Sequence, residues 1–461
     1  MKTLTNILCV VLVFHTYSWA EDTPPIRASV FEVEVTPPIG SILAYDPVRG
    51  VQTPLQCKGV VIIGNAQPIV LCAVDWIGIG NASHQIFREQ VAAAAGTSPD
   101  RVAVHTLHQH DAPWCDFSIE AVLVQYGVPY RPFDSKFARE AIAKVASAVS
   151  ESLERLQTVT HVGAGQGTVD QVASNRRILG PDGKVLHVRW SASKDPIVRE
   201  FPEGLIDPKL RMVSLWNGDK PIVALSYYAT HPQSYYRTGL ACADFPGLAR
   251  ETVQAKTGVP LIHFNGAGGN ITAGKYNDGA AENRQVLADR MAVAMEKAWA
   301  ETKRKPISGT ELTWETQPVT LPLPLWVDKP ESEAILADPK AAAMQRFNAA
   351  TKLVWLTRSQ ANEPLLLGCL GLGDTRILHL PGELFVEYQL ASQSLRPDLN
   401  VCMAAYGDYG PAYIGTAISY SQGGYETGPN TSMVAPGSET VLMKAIAKLL
   451  KCDESKIAPL P

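Results

Sequence analysis

Long apolar runs alternate with amphipathic stretches along this chain. Residues 59–64 and 68–79 (GVVIIG and PIVLCAVDWIGI) are continuous and rich in β-branched side chains, which is typical of strands buried inside a sheet. Residues 138–156 and 282–301 place apolar side chains three and four positions apart, which indicates amphipathic helices. The proline-rich stretch 318–330 resembles a linker, but core-strand character resumes after it. The pattern therefore predicts an α/β protein with mixed core β-sheets flanked by helices, in one large domain.

The N-terminus has the pattern of a targeting segment. Lys2 precedes the apolar residues 7–14, which are too few to cross a bilayer comfortably. Ser18 and Ala20 then occupy the small-residue positions of a cleavage site. We therefore expect residues 1–20 to be a signal peptide and the mature protein to be exported, either periplasmic or secreted. The alternative is an anchor that is not cleaved.

Composition narrows the classes of function. The 461 residues carry a formal net charge of −4, with 46% hydrophobic and 19% charged residues, an ordinary globular balance. Because no basic run occurs, nucleic acid is not expected as a partner. No second apolar segment is long enough to span a membrane, so residues 21–461 are expected to form a domain without a transmembrane segment. The seven cysteines of this part are scattered, with no Cys-x-x-Cys pair, and one or two disulfides stay possible.

Three histidines lie within six residues, in HTLHQHDAPW at 105–114. Side chains two apart on an extended chain share a face. His108 and His110, just after a predicted core strand, therefore form half of a zinc site. The alternative is a solvated loop cluster without a metal. Any further ligands have to come from elsewhere in the sequence.

Three later segments carry polar or glycine residues where an apolar strand ends. His231 follows a core strand in YYATHPQS, and Glu383 follows a Pro-Gly turn in ILHLPGELF. A buried carboxylate there would need a metal or cation partner. The glycines of 265–272 (NGAGGNIT) leave backbone N–H groups free to approach an anion or ligand. The ordinary structural alternatives are a hydrogen-bonded core histidine, a glutamate that starts a helix, and a simple glycine turn.

Together these segments resemble the neutral/alkaline (non-lysosomal) ceramidases, specifically the N-terminal, zinc-bearing catalytic domain of that family. EVEVTPPIG resembles the family's opening strand and Thr-Pro-Pro turn, and LHQHDAP stands where the family has T-H-T-H-S-G-P. ATHPQS, NGAGGNIT and LPGELF resemble its second histidine motif, its Gly-Asp-Val-Ser segment and its Pro-Gly-Glu segment. AYIGTAISYSQGGYE resembles its Y-x-T-T run with a second tyrosine twelve residues on. The motifs keep the family's order over almost the whole mature chain.

The resemblance implies a Zn²⁺ cofactor and a role for each matching residue. Four residues would be the zinc ligands: His108, His231, Glu383 and Tyr413. His110 and Tyr425 would hydrogen-bond the substrate carbonyl or the oxyanion that develops from it. Arg176 would face the substrate, and Thr272 would be a catalytic residue in place of the family's serine. Because zinc lowers the pKa of a bound water to about 7, the implied reaction is amide hydrolysis by zinc-activated water.

Departures from the family pattern bear on the substrate, a small-molecule amide or a lipid. Asn270 and Thr272 stand where the family has aspartate and serine, and Asp111 directly follows the second histidine of the motif. The chain ends at Pro461, without the family's C-terminal β-domain. From this and from the acidic residues within 111–120, we expect a polar mouth and an amide smaller or more polar than ceramide. Two alternatives stay open, a zinc hydrolase of another ester or amide class and a non-catalytic exported binding protein that contains zinc.

Overall fold

Three β-sheets of five, five and four strands form the framework of the structure, a computed structural model that describes residues 24–461. The predicted signal peptide, residues 1–20, lies outside the described residues. The first strands in chain order are β1 (Ile26–Glu34), β2 (Gly50–Val51), β3 (Gln56–Ile63), β4 (Ile69–Val74), β5 (Gly78–Ile79), β6 (Val102–Thr106), β7 (Trp114–Cys115), β8 (Gln157–Val159), β9 (His161–Thr168), β10 (Ser174–Asn175), β11 (Arg177–Leu179) and β12 (Val185–Val188). The later strands are β13 (Lys209–Asn217), β14 (Lys220–Tyr228), β15 (Leu240–Ala241), β16 (Leu261–Asn265), β17 (Ile271–Thr272), β18 (Lys303–Pro306), β19 (Leu312–Val319), β20 (Leu365–Leu372), β21 (Thr375–His379), β22 (Glu383–Leu384), β23 (Asn400–Ala404) and β24 (Tyr413–Ile414).

Helices connect and cover these strands. They are α1 (Asn81–Ala95), α2 (Phe117–Gln125), α3 (Ser135–Ser152), α4 (Pro196–Glu200), α5 (Asp244–Thr257), α6 (Asn283–Ala300), α7 (Lys329–Ala337), α8 (Ala343–Gln360), α9 (Val386–Leu395), α10 (Ala417–Gln422) and α11 (Ser438–Leu449). Short 3₁₀ helices lie at Pro99–Arg101, Leu153–Arg155, Gly309–Glu311 and Glu454–Lys456. Asp116 and Asp134 accept hydrogen bonds from N–H groups in the first turns of α2 and α3. Gly96 ends α1 in the left-handed conformation that favours glycine.

Each of the three large sheets contains one pair of parallel strands joined by a helix. The first sheet has the order β6-β4-β3-β1-β8, and α1 lies in the connection from β4 to the parallel β6. The second has the order β16-β14-β13-β9-β18, with α5 between β14 and β16. The third has the order β19-β20-β21-β23, with α9 between β21 and β23. Ligand sites commonly form where the carboxyl ends of such parallel strands meet.

The inner faces of the three sheets share one apolar core. The cluster takes side chains from every sheet, for example Val60, Val213 and Ile377, all fully buried. The outer faces are covered by helices, with α1 and α3 on the first sheet, α5 and α6 on the second, and α9 and α11 on the third. This arrangement buries both faces of each sheet, which explains the continuous apolar runs in the sequence.

The structure confirms the predicted α/β class, with mixed sheets flanked by helices in a single domain. Residues 318–330 are not a linker between domains, because Val319, Leu321 and Val327 are buried in the core cluster of the third sheet. No helix within residues 24–461 is long and apolar enough to cross a membrane. The cysteines of the same range are free thiols, so neither disulfide left open by the sequence forms there.

Candidate metal centre

One strand end from each sheet brings a polar side chain to the same point. His108 follows β6 of the first sheet, His231 follows β14 of the second, and Glu383 follows β21 of the third. His108 Nε2 lies 3.2 Å from His231 Nε2 and 3.2 Å from Glu383 Oε2. His231 Nε2 lies 3.4 Å from the same carboxylate oxygen, and all three side chains are buried. We call these three atoms the donor triangle, because each can donate a lone pair to a metal ion.

Hydrogen bonds to backbone carbonyls fix the tautomers of both histidines. The Nδ1–H of His108 donates to the Ile77 carbonyl at 2.6 Å, and that of His231 donates to the Gly268 carbonyl at 3.0 Å. A carbonyl only accepts, so the Nε2 atom of each neutral ring presents a lone pair to the triangle. Glu383 Oε2, the third atom, has no hydrogen-bond donor within the described residues. With both rings neutral, three acceptor atoms face one another, an arrangement that a cation stabilises.

The donor triangle fits a tetrahedral zinc ion. Nitrogen and oxygen ligands 2.0–2.1 Å from zinc lie about 3.3 Å from one another in that geometry. The observed separations of 3.2 to 3.4 Å agree with this value. Burial, with smaller effects from Arg176 and His108, holds the pKa of His231 well below its ordinary value. The ring therefore stays neutral, as a zinc ligand must.

Tyr413 places a phenolic oxygen beside the triangle. Its strand pairs in parallel with that of Glu383, residue opposite residue, and its hydroxyl lies 3.3 Å from His231 Nε2. Arg176 is buried behind it and donates from Nη1 to the hydroxyl at 3.1 Å. Burial raises the pKa of Tyr413 well above its ordinary value, while the Arg176 guanidinium opposes this effect. The structure thus places Arg176 against a predicted ligand, where it holds the oxygen in position.

His110 differs from the two triangle histidines. Its Nδ1 lies 2.9 Å from the hydroxyl of Tyr45, and its buried Nε2 has no partner within the described residues. A phenol hydroxyl can donate or accept; when Tyr45 donates to Nδ1, the proton of a neutral His110 lies on Nε2. Burial, with contributions from His108 and Arg176, keeps the pKa of His110 well below its ordinary value. In that tautomer His110 presents a neutral hydrogen-bond donor to the centre.

A three-histidine site is the other grouping that the geometry permits. The ligand atoms of His108, His110 and His231 lie within 4.8 Å of one another. The donor triangle with Glu383 is tighter and matches the separations around zinc more closely. We therefore take Glu383 as the third candidate ligand position and His110 as a neighbour of the donor triangle.

Two tyrosines that the motifs did not identify support the centre, Tyr406, which is buried, and Tyr409, which is partly buried. The Tyr409 hydroxyl donates to Glu383 Oε1 at 2.6 Å, which leaves Oε2 toward the histidines. The Tyr406 ring stacks on that of His108 with centroids 4.5 Å apart. The sequence signal that finds them is AAYGDYGPAY at 404–413, a run of three tyrosines that begins where the buried strand β23 ends.

The hydroxyl of Thr272 is used inside the loop structure. It donates to the Trp190 carbonyl at 3.2 Å and accepts from the Gly274 N–H at 2.7 Å. Asn270 likewise accepts from the first N–H of α9 and donates to the Glu387 carboxylate. No hydrogen bond of the described residues joins Thr272 to the predicted ligands. The Thr272 hydroxyl is therefore held by backbone groups of the loop, and its catalytic role stays a prediction.

The glycines of 265–272 serve close backbone packing. The Gly269 N–H donates to the Leu384 carbonyl, and a Cβ atom at Gly269 would overlap the carbonyl oxygen of Glu383. The N–H groups at 266, 267 and 271 are also hydrogen-bonded. The prediction that this loop offers free N–H groups to an anion therefore does not hold at 266, 267, 269 and 271, and at 268 and 270 it stays a prediction. The glycines instead allow the segments that carry His231 and Glu383 to approach.

The acidic residues after the histidine motif do not form a polar mouth. Asp111 is buried and accepts from the N–H groups of Arg237 and Thr238. Asp116 is also buried, caps α2 and accepts from the Asn81 amide at 2.6 Å. Burial raises the pKa of Asp116 to about 6. The expected polar mouth is wrong for these residues, because both carboxylates point inward and satisfy backbone groups.

Aromatic side chains instead line the exposed side of the centre. Trp190 and Tyr425 lie 5.3 Å apart between ring centroids, and Tyr45 and Tyr236 lie 5.2 Å apart. These four side chains are 41 to 51% exposed. Tyr425 also contacts the Tyr413 ring, and burial followed by Glu383 raises its pKa, so its hydroxyl stays a donor.

The fold and the centre together define an α/β protein whose buried His-Glu-Tyr cluster suits a metal ion. No protein-family model matches the chain, and no curated protein matches it. A structure described as a ceramidase complexed with C2 matches with a TM-score of 0.67 and 15% identity, over 95% of this chain and 77% of that chain. Neutral ceramidase from Pseudomonas aeruginosa matches with a TM-score of 0.65 and 16% identity, over the same shares. The chain thus has the fold of the neutral ceramidases, as the motifs predicted.

Proposed function

We propose that this protein is a zinc-dependent hydrolase that cleaves an N-acyl amide. The donor triangle carries the proposal, because three buried acceptor atoms that face one another at 3.2 to 3.4 Å form a site that a cation would stabilise. His108, His231 and Glu383 would bind zinc through the triangle, and the Tyr413 oxygen beside it would be the fourth ligand. The names of the structural neighbours support the amide class.

The residues around the triangle have distinct roles in this proposal. Zinc bound there would supply a hydroxide ion near neutral pH by lowering the pKa of a bound water to about 7. The Nε2–H of His110 would donate to the amide carbonyl oxygen and to the oxyanion that develops from it. Tyr425 would be the second donor, from the exposed side. Arg176 would keep the Tyr413 oxygen in place.

Removal of a ligand tests the metal centre. We expect His108→Ala and His231→Ala each to lose most of the zinc, because one of four ligands is gone. His187→Ala, which replaces a half-exposed histidine of β12, should keep one zinc per chain. Elemental analysis of the purified proteins measures this. Full zinc occupancy in a His108→Ala/His231→Ala double variant would refute the assignment.

Turnover separates the proposal from its two alternatives. The zinc-loaded protein should hydrolyse N-acyl amines, and His110→Ala should lower kcat by about 100-fold or more with the zinc retained. Hydrolysis of esters without hydrolysis of amides would favour a hydrolase of another class. A fully zinc-loaded protein without any turnover would favour a binding protein.

We also propose that the protein is exported. The support is the signal-peptide pattern of residues 1–20 described above.

A further inference from the structure

A cavity of about 190 Å³ lies directly beside the donor triangle. Glu383, Tyr413 and Tyr425 form its wall next to the centre. The remainder of the wall includes four large apolar side chains: Trp114, Ile119, Phe347 and Met433. A group bound in this cavity would therefore adjoin the atoms that the proposed reaction changes.

Several polar groups on the cavity wall are already hydrogen-bonded. The two carboxylate oxygens of Asp116 accept from the first turn of α2 and from the Asn81 amide. The Thr351 hydroxyl donates to the Phe347 carbonyl, and the Thr431 hydroxyl donates to that of Tyr425. These groups need no ligand to satisfy them. The four large apolar side chains of the wall therefore favour an apolar occupant of this cavity.

The volume limits the size of that occupant. An apolar cavity of about 150 Å³ accommodates benzene, a six-carbon ring. By that scale, about 190 Å³ holds a group of about six to eight carbons. A long fatty chain would extend beyond the cavity into solvent.

We infer that this cavity binds a compact apolar group, about six to eight carbons in size, on one side of the scissile amide. The inference rests on the proposed hydrolase function and names its substrate class, the amides of medium-chain or aryl-bearing acids or amines. The aromatic mouth and the inward-pointing acids agree with an apolar substrate. The expectation of an amide smaller than ceramide is therefore kept, and the expectation of a more polar amide is replaced by that of an apolar one.

Two series of amides test the inference with the zinc-loaded protein. One varies the acyl group on methylamine and the other varies the amine of acetamides, each from two to about sixteen carbons. In one series kcat/KM should rise about fourfold per added methylene up to about six to eight carbons and then level off or fall. That series tells whether the acyl or the amine side enters the cavity. A rise that continues to about sixteen carbons in either series, or no length dependence in both, would overturn the inference.

Variants of the cavity wall give a second measurement. Phe347→Ala enlarges the cavity and should move the optimum by two or more carbons toward longer groups. For those groups kcat/KM relative to the wild-type optimum length should rise about 16-fold. Thr351→Phe fills the cavity and should move it toward shorter groups. Met344→Ala changes an exposed residue of the same helix outside the cavity and should leave the optimum in place. An unchanged optimum in both wall variants would also contradict the inference.

Binding separates failure of the subsite from failure of the hydrolase proposal. Calorimetric titration with hexanamide, octanamide and dodecanamide requires no turnover. If no amide is hydrolysed but affinity peaks at about six to eight carbons and shifts in Phe347→Ala, the subsite stands and the hydrolase proposal fails. If amides are hydrolysed without a length optimum in rate or affinity, the hydrolase proposal stands and the subsite fails.

Discussion

The partner of each Nδ1 atom distinguishes three histidines that the sequence presents as one cluster. His105 donates to the Ala405 carbonyl within the core, and burial lowers its pKa to about 3. His108 also donates to a carbonyl, but its Nε2 faces the donor triangle. His110 alone pairs with a hydroxyl, that of Tyr45. The same residue type therefore yields a core histidine, a proposed metal ligand and a proposed hydrogen-bond donor, according to one contact each.

Loss of the Tyr45 hydroxyl tests the donor role of His110. In Tyr45→Phe the ring packing is kept but the tautomer is no longer fixed, so we expect kcat to fall about 10–100-fold. Zinc content should not change. Tyr236→Phe is the matched control, because its ring lies 5.4 Å from that of His110 and no hydrogen bond of the described residues joins the two. A loss of zinc in Tyr45→Phe, at unchanged fold, would instead make His110 a ligand.

The Glu383 carboxylate depends on Tyr409 for its orientation. Tyr409→Phe removes the hydrogen bond to Oε1 and should weaken zinc affinity about 10–100-fold, as measured by competition with a chelator. Tyr406→Phe is the control, since that hydroxyl has no hydrogen-bond partner within the described residues although its ring stacks on His108. Equal zinc affinities in the two variants would show that the Tyr409 hydroxyl does not orient the carboxylate.

At the scale of elements, three strand-helix-strand units of the same kind build the centre. Each has parallel strands whose carboxyl ends point to the same region, which is why ligands from three sheets converge. The chain then has to turn sharply. His108, Tyr406 and Ala412 have φ angles of 69, 58 and 53°, in the left-handed region that such residues seldom adopt. Non-glycine residues in this conformation cluster at functional sites in proteins generally.

Close contact between two of these units at Gly269 is open to test. Gly269→Ala would place a Cβ atom against the Glu383 carbonyl, so we expect a loss of about 1–3 kcal/mol of unfolding free energy and weaker zinc binding. Gly437→Ala is the control, because its φ is −61° and the nearest atom to an added Cβ is a side-chain carbon 3.3 Å away. Thermal unfolding of both variants decides. Equal unfolding free energies of the two variants would mean that the backbone segments at Gly269 and Glu383 move apart without a loss of stability.

At the scale of the whole molecule, the sequence predicted those site residues that directly follow a recognisable apolar strand in the chain. His231 and Glu383 were found because apolar strands precede them in the chain. Tyr45, 65 residues from His110, gave no such signal, and neither did Thr238, 127 residues from the Asp111 carboxylate that it hydrogen-bonds. Contacts between segments far apart in sequence decide whether an acid faces solvent or a backbone N–H. The predicted polar mouth was wrong at Asp111 and Asp116 for this reason.

The export proposal makes a prediction about the mature chain as a whole. Lys2, the apolar stretch 7–14 and the small residues Ser18 and Ala20 predict cleavage after Ala20. Intact-mass analysis of material recovered outside the cytoplasm should show a chain that begins at Glu21.

The mature chain should also keep seven thiols that react only after denaturation or slowly, since six of them are buried and none of the described cysteines is in a disulfide. Exported material that retains Met1 would contradict cleavage, and fewer than seven thiols in the denatured chain would contradict the free-cysteine arrangement.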